Sequence, residues 1–256
     1  MISLMIKEVN EMKLELCNPG IFKDAFDGIS HIVDEVELQF HQETGMKLCA
    51  LDKSHITFIE LEFKPSLFDE FECETPEKVI IDTIKFMSIL KRMNTGDILK
   101  LSTDEGNFII TFEGDARRTY KLRLIDAEYE SPQPPMVVFP VTVKIRTNIV
   151  KDSIEDMSLF SKYCKWSVDE DYFIVSCDGE LGDSTVKYLH GEQVQEYVES
   201  SLSLDKIKDI FRASKISEEC IIRLGNDIPI GVEFHLISGD GCFKFLLAPR
   251  ISAEDE

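Results

Sequence analysis

Forty-eight carboxylates, five histidines and seven cysteines give this 256-residue chain ample material for acid–base, nucleophilic or metal chemistry. Their spacing organises none of it. The cysteines at 17, 49, 73, 164, 177, 220 and 242 form no Cys-x-x-Cys pair, and an odd, dispersed set reads as buried thiols, not as a disulfide framework or zinc site. The histidines make no His-Glu-x-x-His helix, so neither a metal nor another cofactor is expected. Gly-x-Ser-x-Gly, P-loop and Gly-x-Gly-x-x-Gly motifs are missing as well. Gly179-Glu180-Leu181-Gly182-Asp183 superficially suggests a ligand loop, but a turn leading into a strand explains it better. No catalytic residue is assigned, and an enzyme is not expected.

What remains is electrostatic chemistry. Two segments of helical character end in basic residues, Lys91-Arg92 in one and Arg212 with Lys215 in the other. Taken alone these are ordinary solvated helix faces. The formal net charge of −20 excludes a protein that coats nucleic acid with its whole surface. It leaves room for one basic face, because binding depends on where the cations cluster. The composition, 43% hydrophobic and 30% charged, is that of an ordinary globular protein. No apolar run approaches the roughly 20 residues needed to cross a bilayer. Met1-Ile2-Ser3-Leu4-Met5-Ile6 is too short for a signal core, so an intracellular location and no membrane partner are expected.

The elements that would position these residues fall into two halves. Ser131-Pro132-Gln133-Pro134-Pro135 lies almost at the midpoint, and such proline density favours an extended connector over residues 127–136. Ile81-Asp82-Thr83-Ile84-Lys85 before it resembles Leu204-Asp205-Lys206-Ile207-Lys208 after it. Lys23-Asp24-Ala25-Phe26-Asp27 likewise resembles Lys151-Asp152-Ser153-Ile154-Glu155. The shared order of the two matches implies a duplicated α+β unit. Helices are expected over 20–33, 83–93, 153–163 and 205–213. Pro19 precedes the first, Asp82 caps the second, and Ser203 or Asp205 caps the fourth. Alternating stretches at 46–51, 56–63, 120–124 and 231–236 read as strands with one face on a core and one in water.

Six segments carry a family resemblance. Leu48-Cys49-Ala50-Leu51-Asp52-Lys53-Ser54-His55-Ile56 is similar to the archaeal and eukaryotic proliferating cell nuclear antigen family of DNA sliding clamps. So are Met87-Ser88-Ile89-Leu90-Lys91-Arg92, Leu124-Ile125-Asp126-Ala127-Glu128 and Cys177-Asp178-Gly179-Glu180-Leu181-Gly182-Asp183. Asp227-Ile228-Pro229-Ile230-Gly231-Val232 and Phe245-Leu246-Leu247-Ala248-Pro249-Arg250-Ile251 complete the series. They lie in the family's order and spacing from about Met12 onward, which leaves residues 1–11 as an extension.

The resemblance implies two clamp domains, 12–126 and 137–256, joined by the connector. Helices line the inside of a ring and antiparallel sheets form its outside. It implies a homotrimer that encircles double-stranded DNA without reading sequence. By the same resemblance Lys23, Lys85, Lys91, Arg92, Lys206, Lys208, Arg212 and Lys215 lie on or near the lumen. Asp24, Asp27, Asp152, Glu155 and Asp156 make that lining patchy. Subunits would join through a strand near 116–125, with Arg117, Arg118 and Tyr120, and a strand near 180–188, with Asp178, Glu180 and Asp183. A pocket for partner peptides would comprise Leu51, His55, Ile56, Phe58, Ala127, Glu128, Tyr129, Pro229, Leu247, Ala248 and Pro249. Its implied users are a replicative DNA polymerase, a clamp loader, a flap endonuclease and a DNA ligase. The location would be cytoplasmic in an archaeon and nuclear in a eukaryote. Other readings are a specialised checkpoint-type ring or heterotrimer subunit, a hydrolytic enzyme, and an acidic DNA mimic.

Overall fold

The computed structural model describes residues 12–104, 106–194 and 196–250. The expected extension at residues 1–11 and the motif residue Ile251 lie outside them. The chain begins β1 (Lys13–Leu16), α1 (Gly20–Ile32), β2 (Glu35–His41), β3 (Gly45–Leu51) and β4 (Thr57–Phe63). It continues with a short β5 (Glu70–Glu72), β6 (Glu77–Asp82), α2 (Thr83–Leu90), β7 (Ile98–Asp104), β8 (Asn107–Glu113) and β9 (Arg117–Arg123). Residues 124–140 carry neither helix nor strand. Then follow β10 (Val141–Arg146), α3 (Thr147–Met157), β11 (Tyr163–Val168), β12 (Tyr172–Gly179), β13 (Gly182–Leu189) and β14 (Val198–Ser203). The last elements are α4 (Leu204–Phe211), β15 (Glu219–Leu224), β16 (Ile230–His235) and β17 (Gly241–Leu247). With β5 set aside, the order of elements before 124–140 repeats after it.

The sheets repeat too. In the first half, β4-β3-β2-β6 is one strand order and β1-β7-β8-β9 the other; in the second half β13-β12-β11-β14 and β10-β15-β16-β17 match them. The halves are fused where β17 pairs antiparallel with β4, from Gly241 opposite Phe63 to Leu247 opposite Thr57. That junction makes a single eight-stranded sheet from four strands of each half.

The apolar stripes of the helices bury against the sheets. Phe22, Ala25, Phe26 and Ile29 of α1 are buried at helical spacing, and Phe26 meets Phe86 of α2 edge-on at 4.7 Å. Leu204, Ile207, Ile210 and Phe211 of α4 do the same, with Phe211 edge-on to Phe234 at 5.4 Å. Each of these Phe, Leu and Ile side chains contributes about 1.5–3 kcal/mol by leaving water. Helices from the two halves also touch: a Cβ at Gly28 would stand 3.0 Å from the Ala213 Cβ, so only small residues fit there.

Three expectations need correction. The third helix occupies Thr147–Met157, not 153–163, and Tyr163 opens β11. Ser153 is an interior residue: its buried hydroxyl donates back to the Ile149 and Val150 carbonyls within the helix. Ser203 sits at the cap of α4 without a side-chain bond, whereas Asp82 accepts from the Lys85 N–H at 2.9 Å as expected. Not all the thiols are buried, because Cys17 is exposed and Cys49 and Cys242 are partly so.

One polar contact ties the halves together. Asp52 is 3% exposed and receives the Lys206 ammonium at 2.7 Å. Its second oxygen accepts from the Ile56 and Thr57 N–H groups at 2.7 and 2.8 Å. Burial pushes this carboxyl up, but Lys206, the Ser54 hydroxyl and those N–H groups outweigh it and hold the pKa at about 2, below the ordinary 3.8. A depressed carboxyl stabilises the fold above its unfolded pKa, here by on the order of 2 kcal/mol. Urea unfolding of the parent chain and of Asp52→Asn across pH should therefore show the parent's advantage intact above about pH 4. The advantage should shrink as pH falls from there toward 2.

Candidate functional site

Among the described residues six strands lie at sheet ends, β5, β6, β9, β10, β13 and β14, and two of them, β9 and β13, have counterparts in the repeat that are not ends. Their counterparts in the repeat, β17 and β4, pair with each other. The burial patterns register the difference. Alternate residues of β17 and most of β4 are buried; β13 has no buried residue and β9 only Leu122. Apolar side chains stand exposed around the β13 edge, with Leu181 at 90% and Leu189 at 76%, accompanied by Leu159 and Phe160 at the end of α3. The sequence-selected Arg117, Arg118 and Tyr120 lie on β9, Asp183 on β13, Asp178 at the end of β12, and Glu180 in the turn between them. Arg118 is not a free charge, however. It pairs with the buried Asp97 carboxylate, donates to the Arg92 carbonyl at 2.7 Å, and lies over the Phe112 ring. Sequence reasoning missed Lys121, which lies on β9 beside them and is paired with Asp104 at 2.6 Å.

The helices gather the cations on the opposite side from the solvent-facing sheet. A groove of about 260 Å³ between α1, α3 and α4 is lined by Lys151, Lys208, Arg212 and Lys215. Lys151 is a second omission of the sequence reading, hidden because it entered only as a repeat match. Most of these cations have acidic neighbours: Lys208 with Glu155 at 3.5 Å, Lys215 with Asp24 at 3.8 Å, Arg212 with Asp209 at 3.3 Å and Lys85 with Asp82 at 3.0 Å. Lys23, Lys91 and Arg92 have no ion pair among the described residues. Lys206 stands on α4 with its ammonium committed to Asp52.

The third set of residues lies on the outer face of the eight-stranded sheet. Strand pairing puts Leu51, Phe58 and Leu246 in one row across β3, β4 and β17. Leu247 is corrected here: it is 1% exposed on the core side, and Leu246 takes the outward place. The Asp52-capped turn lifts His55, with φ of 58°, and exposes Ile56. The Ile56 carbonyl accepts from the Ala248 N–H at 2.9 Å, which brings Ala248 and Pro249 alongside. Pro229 is half-buried. The connector crosses this face. Ser131 donates to the buried Glu37 at 2.9 Å, Gln39 donates to Ser131 at 3.1 Å, and Lys78 pairs with Glu37 at 3.0 Å. Burial raises the Tyr129 phenol, helped by Glu37, while Ala127 and Glu128 are exposed. A cavity of about 240 Å³ remains between Pro134 and Pro135 of the connector, Val137 and Phe139 just after it, and the sheet residues Phe58, Gly231 and Leu246.

Comparison with known proteins agrees with this arrangement. Residues 11–131 match the family model described as proliferating cell nuclear antigen, N-terminal domain. The chain is 53% identical over 243 residues to a DNA polymerase sliding clamp of Methanobrevibacter smithii, covering 95% of this chain and 99% of the relative. It is 49% identical, with the same coverage, to one of Methanothermobacter thermautotrophicus. A crystal structure of PCNA from Thermococcus kodakaraensis superposes with a TM-score of 0.85 at 21% identity, covering 93% of this chain and all of that one, and so shares the fold. A repeated α+β topology, spanned almost end to end by such relatives, has one reading: the chain belongs to the DNA polymerase sliding clamp family of the proliferating cell nuclear antigen type.

Proposed function

We propose that this chain is a DNA polymerase sliding clamp that works as a homotrimeric ring, without catalysis, holding partners on duplex DNA it encircles. The observation that carries this reading is the pair of open edges whose internal counterparts are joined. Edge strands expose unpaired N–H and C=O groups, and β17–β4 is a ready template for closing β9 on β13 of the next copy. Transferring that register puts Asp183 opposite Lys121, Ser184 opposite Tyr120, Thr185 opposite Thr119, Val186 opposite Arg118 and Lys187 opposite Arg117. One outward pair attracts and one repels, so backbone pairing and apolar contact dominate over charge. A head-to-tail contact of this kind closes into a ring when its rotation closes.

The same transfer gives Asp156 of α3 a partner. The Gly28–Ala213 contact inside the chain corresponds to Asp156 against Arg92 of the next copy. Asp156 thereby serves assembly, not DNA. The domains are 12–126 and 137–256, with 127–136 between them. Lys23, Lys85, Lys91, Lys151, Lys208, Arg212 and Lys215 then supply a weak phosphate-attracting wall. Backbone attraction without base contacts is what a sliding ring needs. Lys206 acts indirectly, by shaping the turn that presents Ile56. The row Leu51–Phe58–Leu246, with Ile56, Ala248, Pro249 and the connector, takes short extended peptides. These carry the polymerase and clamp loader, and by the same route a flap endonuclease and a DNA ligase. The archaeal relatives support a cytoplasmic location.

The direct test is polymerase processivity on primed DNA. Stimulation should persist on circular templates and fall on linear ones with free ends; equal stimulation on both would overturn encirclement. Asp156→Arg should weaken self-association by about 10-fold, on the order of 1.4 kcal/mol per interface, with loss of stimulation. Arg92→Glu in the same chain should restore both. Ile56→Ala should lower affinity for a peptide carrying a Gln, a hydrophobic residue and two aromatics by about 10-fold, as read by fluorescence anisotropy, with ring size unchanged by sedimentation.

A further inference from the structure

The outer face of the β16–β17 hairpin carries a cluster that the clamp reading does not use. Strand pairing puts His235 directly opposite Cys242, and Glu233 lies two residues along β16 on the same face. His235 Nε2 is 3.1 Å from Glu233 Oε2 and 3.6 Å from Cys242 Sγ, and the donor atoms of all three lie within 4.8 Å of one another. Bond lengths of about 2.0–2.1 Å to nitrogen, 2.0–2.2 Å to oxygen and 2.3 Å to sulfur at tetrahedral angles require N···S near 3.6 Å and N···O near 3.4 Å. The observed separations match those edges to within a few tenths of an ångström.

We propose that Glu233, His235 and Cys242 form a binding site for a divalent transition metal of zinc type, with water completing a tetrahedral set. Imidazole, thiolate and a single carboxylate select zinc, cobalt or nickel over magnesium and calcium, which prefer all-oxygen sites. The carboxylate is already oriented. Arg223 Nε holds Glu233 Oε1 at 2.8 Å and leaves Oε2 toward the histidine, the outer-shell support that fixes a ligand in place. With the imidazole proton on Nδ1, the Nε2 lone pair faces the metal. Burial pushes the Cys242 thiol up to about 12, so the metal–sulfur bond forms as the thiol proton leaves to solvent. Two cations temper the affinity: Lys244, opposite Glu233 and 3.4 Å from Glu60, and Lys47, bound to Glu62 at 2.7 Å. The half-exposed histidine leaves an open path from solvent.

Titrating the full reduced chain with Co²⁺ alone tests the site. The expected result is one ion per subunit, with a thiolate-to-cobalt charge-transfer band that Zn²⁺ abolishes by competition. Cys242→Ser should remove the band, and His235→Ala should weaken binding at least roughly 100-fold, since loss of an outer-shell partner alone costs about 10–100-fold. Cys49→Ser, on the same sheet face, should change neither. All three variants should keep the parent's thermal midpoint without metal. Failure to see a charge-transfer band, or a band that survives Cys242→Ser or disappears with Cys49→Ser, overturns the proposal.

Discussion

A β-strand cannot leave one side of its backbone idle without consequence, and among the described sheet-end strands β9 and β13 are the two whose repeat counterparts pair with each other. β9 and β13 carry seven and eight residues whose outer N–H and C=O groups find no strand partner in the chain. Elsewhere in the same molecule the repeat shows how such edges are satisfied, through the β4–β17 ladder. Water can solvate an exposed edge, but an apolar fringe of Leu159, Phe160, Leu181 and Leu189 gains nothing from water. On the proposed reading the fold encodes its own assembly twice, once within the chain and once between copies. The direction in which the helices face and the continuity of the outer sheet follow from that repetition.

Charge is subordinate to this geometry. A net −20 is hard to reconcile with a DNA-associated protein until the charges are located. Cations concentrate on the helix face around the groove between α1, α3 and α4, and acidic neighbours moderate Lys85, Lys208, Arg212 and Lys215. Moderation suits a ring, whose retention depends on topology more than on affinity. The acidic α3 stops being an anomaly once Asp156 is matched to Arg92 by the repeat. On the outer face, the buried Glu37 holds the connector through Ser131, so polar contacts shape the proposed peptide-binding side and backbone pairing the proposed seam.

Much of this was legible from residue order. The proline cluster and the two repeat matches point to two halves and a connector, and the alternation finds β3, β4, β9 and β16, because those signals are local. The misplaced third helix shows the limit: β10 runs into α3 without a loop, so the repeat match at Lys151 lies inside the helix instead of opening it. Leu247 and Leu246 show another, since which face a strand residue takes depends on register. Lys206 reads as a lumenal cation until Asp52, 154 positions away, claims its ammonium. Glu233, His235 and Cys242 match no ligand spacing, because only the β16–β17 pairing brings them together.

The seam between copies is the claim on which the account rests, and its register can be measured. Thr119 and Thr185 are the pair placed opposite one another across it, on the solvent side of both strands. With both changed to cysteine, mild oxidation should link the copies into a covalently closed trimer that resists denaturant, against the parent chain as reference. Pairing of Thr119→Cys with Lys187→Cys should be much poorer, because it stands two residues out of register. Efficient closure by the off-register pair, or no closure by the in-register one, would contradict the account.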